Sequence, residues 1–409
     1  MLHIHFGAGR LGLGLVVPAF QSPTTESVIL NRAVSGANAT GNTALGAERR
    51  NALLRDNPER TYHLRILDGA EAPTQRVRYA GFHTYADKGL GRLTRQIAGA
   101  SAAQHRGVVV TASVLKRENY GPVIEALCTL ARLREAGEPI GPIFLVACEN
   151  TVSAQEVLAE LRPADGLTPA GAAVLRRQVT PVAALVDRMC VDLEEDASGA
   201  HPTVRVRTEP YASLKLALGP DTEILRDLCA GSGIDFGRHL DVEKQIKGWL
   251  LNGTHWLIAL RAFQASGGDH AMKLNAFMAA SPGERRHAIA VMDEMREGVA
   301  LLLRRDPAYA AFVRDVDVDA YLVGAATAIL QRFFATEDPI TRILARFQAP
   351  PAGDPGPIEA FSSRFADRIN GPLAAYEAEK GVLPPAASRS LLSLLHLVQS
   401  GTFIDARAQ

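Results

Sequence analysis

Residues 2–14 read LHIHFGAGRLGLG. Five residues of mostly apolar, strand-forming character run into Gly7, Gly9 and Gly12, which make G-x-G-x-x-G, and an apolar helix start follows. In a nucleotide-binding βαβ unit the first glycine permits the tight turn, the second lets the backbone approach a pyrophosphate, and the third allows the helix to pack closely on the strand. The free N–H groups of the helix start then face the phosphates. Pro18 kinks or ends that helix, because it lacks an N–H. A second strand follows at Ser27–Leu30. The residue that closes it reads the ribose 2′ position, where Asp or Glu selects NAD. Here the sequence is VILNR, which places Asn31 and Arg32 there. Asn31 can bond a hydroxyl, and the guanidinium of Arg32 can pair with a 2′-phosphate. The expected cofactor is NAD or NADP, with a lean to NADP.

The same alternation continues outward. Further strands are predicted at His63–Ile66, Val77–Tyr79, Gly107–Ser113 and Pro142–Ala147. A helix is predicted from Tyr120 to Ala136, with Ile124, Leu127, Leu130 and Leu133 at helical spacing. Strands alternating with helices predict an α/β Rossmann-type domain with a parallel-rich sheet covered on both faces. Beyond the strand-like TVRVRTE (203–209) the pattern becomes helical, around 242–264, 283–304, 317–335, 339–348, 358–377 and 387–399. PPAGDPGP (350–357) reads as a surface turn. The expected organisation is a dinucleotide-binding domain over 1–204 and a largely α-helical substrate domain over 205–409. The boundary is placed in the charged, Gly- and Pro-bearing stretch near 195–210.

The 409 residues suit two or three domains at about 150 residues each. With 47% hydrophobic and 22% charged residues the chain has globular rather than disordered composition. The 44 basic and 44 acidic residues balance, which removes the electrostatic footprint of a nucleic-acid binder and argues against an anionic membrane surface. No stretch approaches a membrane span and no leader pattern opens the chain, so a cytoplasmic location is expected. Four widely spaced cysteines in apolar contexts are expected to be reduced and mostly buried. His3 and His5 share a strand face, but no third ligand lies near them, so no metal is expected.

A second segment carries chemistry. Residues 244–260 read KQIKGWLLNGTHWLIAL, in which Lys247, Asn252 and His255 fit K-x4-N-x2-H. On an α-helix Asn252 and His255 lie about 60° apart and Lys247 lies about 80° from His255, so all three reach one cleft. A lysine in such apolar surroundings can lose its proton near neutral pH. It can then take the hydroxyl proton of an alcohol while hydride leaves to a nicotinamide. Asn252 can donate to the developing oxygen charge, and His255 can position a neighbouring hydroxyl or tune the lysine. On spacing alone, a half-buried helix with one polar edge accounts for the same pattern.

FGAGRLGLG, VACEN (146–150), LVDRM (185–189), VRTEPY (206–211), KGWLLNGTH (247–255) and ILQRFFATEDPITRILARF (329–347) occur in one order along the chain. In this order the chain resembles the mannitol dehydrogenase family, the polyol-specific long-chain dehydrogenases, and within it the mannitol-1-phosphate 5-dehydrogenase-like members. The resemblance implies a metal-independent NAD(P)-dependent oxidoreductase that interconverts a polyol or polyol phosphate and its ketose, with mannitol 1-phosphate and fructose 6-phosphate first. It implies Lys247 as general base, Asn252 and Asn150 as the pair holding the substrate oxygen, and His255 as their partner. Arg188, Arg364 and Arg368 are implied as substrate-binding. The chain departs from the phosphate-specific pattern at Leu13, where arginine is usual, and in GPIEAFSSRFADRINGP, which keeps Arg364, Arg368 and Pro372 without the basic cluster. Lys244 stands where free-polyol members carry an acid. A free polyol, a sugar acid such as mannonate, and a non-catalytic dinucleotide-binding redox sensor remain alternatives. Oligomeric state is not legible.

Overall fold

The computed structural model describes residues 1–33, 45–67, 73–86, 89–149, 152–161, 167–269, 271–348 and 362–399. The chain divides into two compact units, Met1–Leu240 and Asp241–Gln409.

The first unit is built on a six-stranded parallel sheet of β1 (Leu2–Phe6), β2 (Glu26–Arg32), β5 (Gly81–Tyr85), β6 (Val108–Ala112), β7 (Ile143–Ala147) and β8 (Val179–Val182). Its spatial order is β5-β2-β1-β6-β7-β8, and every neighbouring pair is parallel. Counted in chain order within the sheet this is 3-2-1-4-5-6, the doubly wound dinucleotide-binding order. β1, β6 and β7 are buried along their whole length, as expected of strands covered on both faces. The predicted helix after β6 is present as Gly121–Glu135 and buries Ile124, Leu127 and Leu130.

Two predicted strands lie elsewhere. β3 (Thr61–Ile66) and β4 (Thr74–Arg78) join β10 (Cys190–Asp196) and β11 (Thr203–Thr208) in a separate sheet of order β10-β11-β3-β4. A third sheet pairs β9 (Ala184–Asp187), β12 (Ser213–Ala217) and β13 (Ile234–Gly237). These pairings move the boundary from 204/205 to Leu240/Asp241. β11 hydrogen-bonds β3, and β12 hydrogen-bonds β9, so the strands after residue 204 belong to the first unit. Local composition marked a loop there, but the partners of the strands beyond it lie far back in the chain.

The second unit is helical. Its long helices include Thr254–Ala265, Pro282–Arg305, Val318–Ala335, Gly371–Lys380 and Pro385–Gln399. Trp256, Leu257, Met292, Leu303, Leu322 and Leu344 are among the residues of its single apolar core. The surface turn predicted at 350–357 lies outside the described residues. No described helix is long and apolar enough to cross a membrane. Gly298, on Pro282–Arg305, shows how tightly the helices meet. A Cβ there would overlap the carbonyl oxygen of Pro372 at the start of Gly371–Lys380. We expect Gly298→Val to separate those helices and destabilise the chain by at least roughly 1–3 kcal/mol, read as a lowered denaturation midpoint. An unchanged midpoint would show that the two helices do not depend on this close approach.

Candidate active site

The glycine-rich turn of the first unit follows from three backbone constraints. Gly7 sits at φ +109°, and a Cβ on it would lie 2.6 Å from the Ser113 carbonyl oxygen. Its N–H donates to the Leu30 carbonyl at 2.9 Å, and the Ser113 N–H donates to the Phe6 carbonyl at 2.9 Å, so the turn is held to both neighbouring strands. Gly12 has no room for a side chain, since a Cβ would overlap His5 Nε2 and the Gly7 carbonyl oxygen. Gly9 differs from both, because nothing lies within 4 Å of its Cβ position. The first and third glycines are therefore required by packing, and the second faces open space. This is the distribution expected where a phosphate group approaches the backbone.

The helix after the turn is π-helical over Gly12–Val16. Pro18 has no N–H, so the carbonyls of Leu13 (the π register) and Gly14 (the α register) lose a donor. Two side chains distant in sequence, one in β3 and one just after β9, replace it. Tyr62 donates its hydroxyl to the Leu13 carbonyl at 2.7 Å. Arg188 Nη1 donates to the Gly14 carbonyl at 2.8 Å, and its Nε and Nη2 donate to the Glu209 carbonyl at 3.2 and 3.1 Å. Burial lowers the affinity of this guanidinium for its proton. Arg188 was expected in substrate binding. The structure instead commits it to main-chain carbonyls of its own unit.

Asn31 is bonded within the first unit as well. Its Oδ1 accepts from the Ala8 N–H at 3.2 Å, and its Nδ2 donates to Asn51 Oδ1 at 2.7 Å. Asn51 is buried and donates to the Arg32 carbonyl at 3.2 Å. The Asn31 amide thus ties the end of β2 to the glycine-rich turn and remains partly exposed there. A polar residue beside Leu53 and Leu54 in the helix Ala47–Asp56 was the only sequence sign of Asn51. Arg32 is exposed at the last position of β2, and residues 34–44 after it lie outside the described residues. His3 and His5 are wholly buried and bond serine and threonine hydroxyls. No group of three or more metal-ligating side chains occurs among the described residues.

In the second unit the K-x4-N-x2-H segment is not one regular α-helix. Leu240–Lys247 is α-helical, Gly248–Gly253 is π-helical, and Thr254–Ala265 is α-helical again. A π turn, closed by i→i+5 hydrogen bonds, takes up more residues than an α turn, so Asn252 falls toward the side of Lys247. That alignment is closer than 3.6-residue spacing gives. Both are partly exposed, whereas His255 is 8% exposed. The π turn exists against a neighbour, the second π stretch Ala366–Asn370. Trp249 Nε1 donates to the Asp367 carbonyl at 2.9 Å. A Cβ on Gly253 would overlap the Arg368 carbonyl oxygen. The structure thus brings the segment of Arg364 and Arg368 against that of Lys247 and Asn252. Burial lowers the proton affinity of Arg364.

His255 stacks on Phe333, with ring centroids 4.4 Å apart and planes 15° apart. Its Nε2 lies 3.8 Å from Asp338 Oδ2, and Asp338 pairs with Arg342 at 2.7 Å. Phe333 and Asp338 were not singled out in the sequence, because nothing local links them to His255. Asn150 lies outside the described residues. Arg188→Met should lower unfolding stability by roughly 1.5–3 kcal/mol, the range for hydrogen bonds from a charged donor. A thermal or urea melt checks this, and a residue reserved for substrate would leave the melt unchanged.

No protein-family model matches the chain, and no curated protein matches it in sequence. Solved structures do. The Pseudomonas fluorescens mannitol 2-dehydrogenase ternary complex with NAD and D-mannitol is similar over 96% of this chain and 77% of that one, with 15% identity and a TM-score of 0.57. A D-sorbitol dehydrogenase in substrate-free form is similar over 91% of this chain and 79% of that one, with 13% identity and a TM-score of 0.60. At these identities the likeness is one of fold, a Rossmann-type unit followed by a helical one.

Proposed function

We propose that the protein is a metal-independent NAD(P)-dependent oxidoreductase that interconverts a secondary alcohol of a polyol, or polyol phosphate, and the matching ketose. The observation that carries this reading is the π turn that draws Lys247 and Asn252 toward one side, both partly exposed, in a chain that also holds a G-x-G-x-x-G turn with open space at Gly9. The two structures it resembles in fold are a mannitol 2-dehydrogenase and a D-sorbitol dehydrogenase, which supports polyol-type chemistry.

Gly7, Gly9 and Gly12 hold the dinucleotide, and a bound nicotinamide supplies the hydride acceptor. Lys247, neutral, takes the hydroxyl proton on Nζ as the carbon gives up its hydride, so the alcohol becomes a ketone and one proton is left on the lysine. Asn252, with Asn150, donates to the oxygen as charge develops on it. His255 is held in one orientation by Phe333 and Asp338 and orients the substrate beside that oxygen. Arg364 and Arg368 contact the remainder of the substrate.

Mannitol 1-phosphate and fructose 6-phosphate are the first pair to test. A free polyol is the second reading, and a specific observation favours it. Arg188 serves main-chain carbonyls and Leu13 fills the other expected arginine position, so one cation of the phosphate-type pattern is engaged elsewhere and one is replaced. Absorbance at 340 nm, with NADH and NADPH each crossed with fructose, fructose 6-phosphate and fructuronate, separates the substrates. No turnover in any combination would defeat the reading.

Lys247→Ala should reduce kcat by at least about 10²–10⁴-fold while dinucleotide affinity is retained, since the lysine acts on the substrate proton. Near wild-type turnover would remove it from the mechanism. Arg32→Ala should weaken NADPH binding more than NADH binding, if its exposed guanidinium pairs with a 2′-phosphate. Titration of both nucleotides decides this, and equal losses would end the NADP preference.

A further inference from the structure

The face of the parallel sheet beneath the glycine-rich turn carries an unusual polar line. Ser27 Oγ lies 3.0 Å from His3 Nδ1, and His3 Nε2 lies 2.8 Å from Thr111 Oγ1. The same hydroxyl lies 2.7 Å from His5 Nδ1, and His5 Nε2 lies 3.1 Å from Ser113 Oγ. Ser27, His3, Thr111 and His5 are all buried. They come from β2, β1 and β6, the three central strands nearest the turn. His3 also stacks on Phe20 at 4.1 Å. The line ends at the glycines, because His5 Nε2 and the Gly7 carbonyl oxygen both stand where a Cβ on Gly12 would be.

The hydrogens of this line follow from the neutrality of the two rings and from the acceptors beside them. Burial, and then the neighbouring His5, hold His3 well below its usual range. Burial pushes His5 down to about 4 although its bond to Gly7 raises it. Both rings are therefore neutral at physiological pH, and each carries one N–H. The Gly7 carbonyl can only accept. Nδ1 of His5 is taken by Thr111, and Nε2 faces the Gly7 carbonyl and a Ser113 hydroxyl that can accept, which assigns the His5 hydrogen to Nε2. His5 Nδ1 must then accept from the Thr111 hydroxyl. That hydroxyl has one hydrogen, so toward His3 it accepts, and the His3 hydrogen is also on Nε2. His3 Nδ1 in turn accepts from Ser27. All donors point the same way, from Ser27 toward Gly7.

We propose that Ser27, His3, Thr111 and His5 form a one-way hydrogen-bond chain that positions the glycine-rich turn for the pyrophosphate of a dinucleotide, with Thr111 as its joint. The inference rests on the dinucleotide reading of that turn. These are positioning residues, since none of them is placed against the ligand. Burying two imidazoles costs stability unless each nitrogen is matched. The matched line converts that cost into a single orientation of the Gly7 carbonyl and a single depth for Gly12. A serine or threonine replaced by an apolar residue of equal size breaks the direction of the line without emptying volume.

The test uses the full chain and two readouts. In ¹⁵N NMR of the wild type, His3 and His5 should both be Nε2–H tautomers, and NADH or NADPH should bind. Thr111→Val should leave the rings without a fixed tautomer and raise the dinucleotide Kd about tenfold, the loss of one hydrogen bond's worth of positioning. Thr111→Ser should restore both. Wild-type affinity in folded Thr111→Val, or an equal loss in Thr111→Ser, overturns the proposal. If Thr111→Val does not fold, Ser27→Ala replaces it at the far end of the line, with a severalfold loss expected and an unchanged Kd overturning the proposal. Failure of the wild type to bind either nucleotide would sink the dinucleotide reading. The tautomers then decide the line by themselves, and an Nδ1–H His5 overturns it.

Discussion

The approach of the first helix to the first strand governs the glycine-rich end of the first unit. Gly12 lies so near the Gly7 carbonyl and His5 that no side chain fits between them, and this closeness sets where the helix N-terminus points. Free N–H groups and the positive end of the helix dipole attract an anion only in the direction they face. Everything around the turn serves that direction. Ser113 closes it from β6, Asn31 and Asn51 tie it to β2, and the buried histidines support it from below. Pro18 adds the complementary requirement, because its missing N–H leaves carbonyls that Tyr62 and Arg188 satisfy. One proline in the helix thus accounts for a tyrosine in β3 and an arginine just after β9. An unsatisfied buried carbonyl would otherwise cost about as much as a lost hydrogen bond.

The helical unit uses a related device. A π turn inserts one extra residue per turn and widens the backbone, and here it occurs where two segments meet at main-chain distance. Gly248–Gly253 faces Ala366–Asn370, with Gly253 against the Arg368 carbonyl and Trp249 bonded to that of Asp367. The two stretches hold each other in a conformation neither would prefer alone. The outcome for chemistry is that Lys247 and Asn252 are drawn toward one side, with the arginine-bearing segment packed beside them. His255 sits deeper, its ring orientation set by Phe333 and its environment by the Asp338–Arg342 pair. Such fixed surroundings suit a group whose role depends on orientation.

The sequence by itself determined what depends on near neighbours. Glycine spacing after a strand specified the tight turn, since φ +109° at Gly7 and the absent Cβ at Gly12 are properties of those residues. Periodicity specified the central strands and most of the helices, since burial of one face repeats every two or 3.6 residues. K-x4-N-x2-H was visible as a string, though its angular arrangement was not, because the π turn comes from a partner more than a hundred residues away. Only the tertiary structure decided which polar side chains remain available to a ligand. Asn31 and Arg188 read as candidate ligand-binding groups in the sequence, His3 and His5 as a pair without a third ligand, and all four are bonded within the first unit. Their partners are Ala8 and Asn51, Gly14 and Glu209, Ser27 and Thr111, and Thr111 and Ser113. The domain boundary moved for the same reason, as β11 and β12 found partners in β3 and β9. A hydrogen-bonding group cannot declare its partner through its own local sequence. Strand order brings distant donors and acceptors within 3 Å or so of each other, and that order exists only in the folded chain.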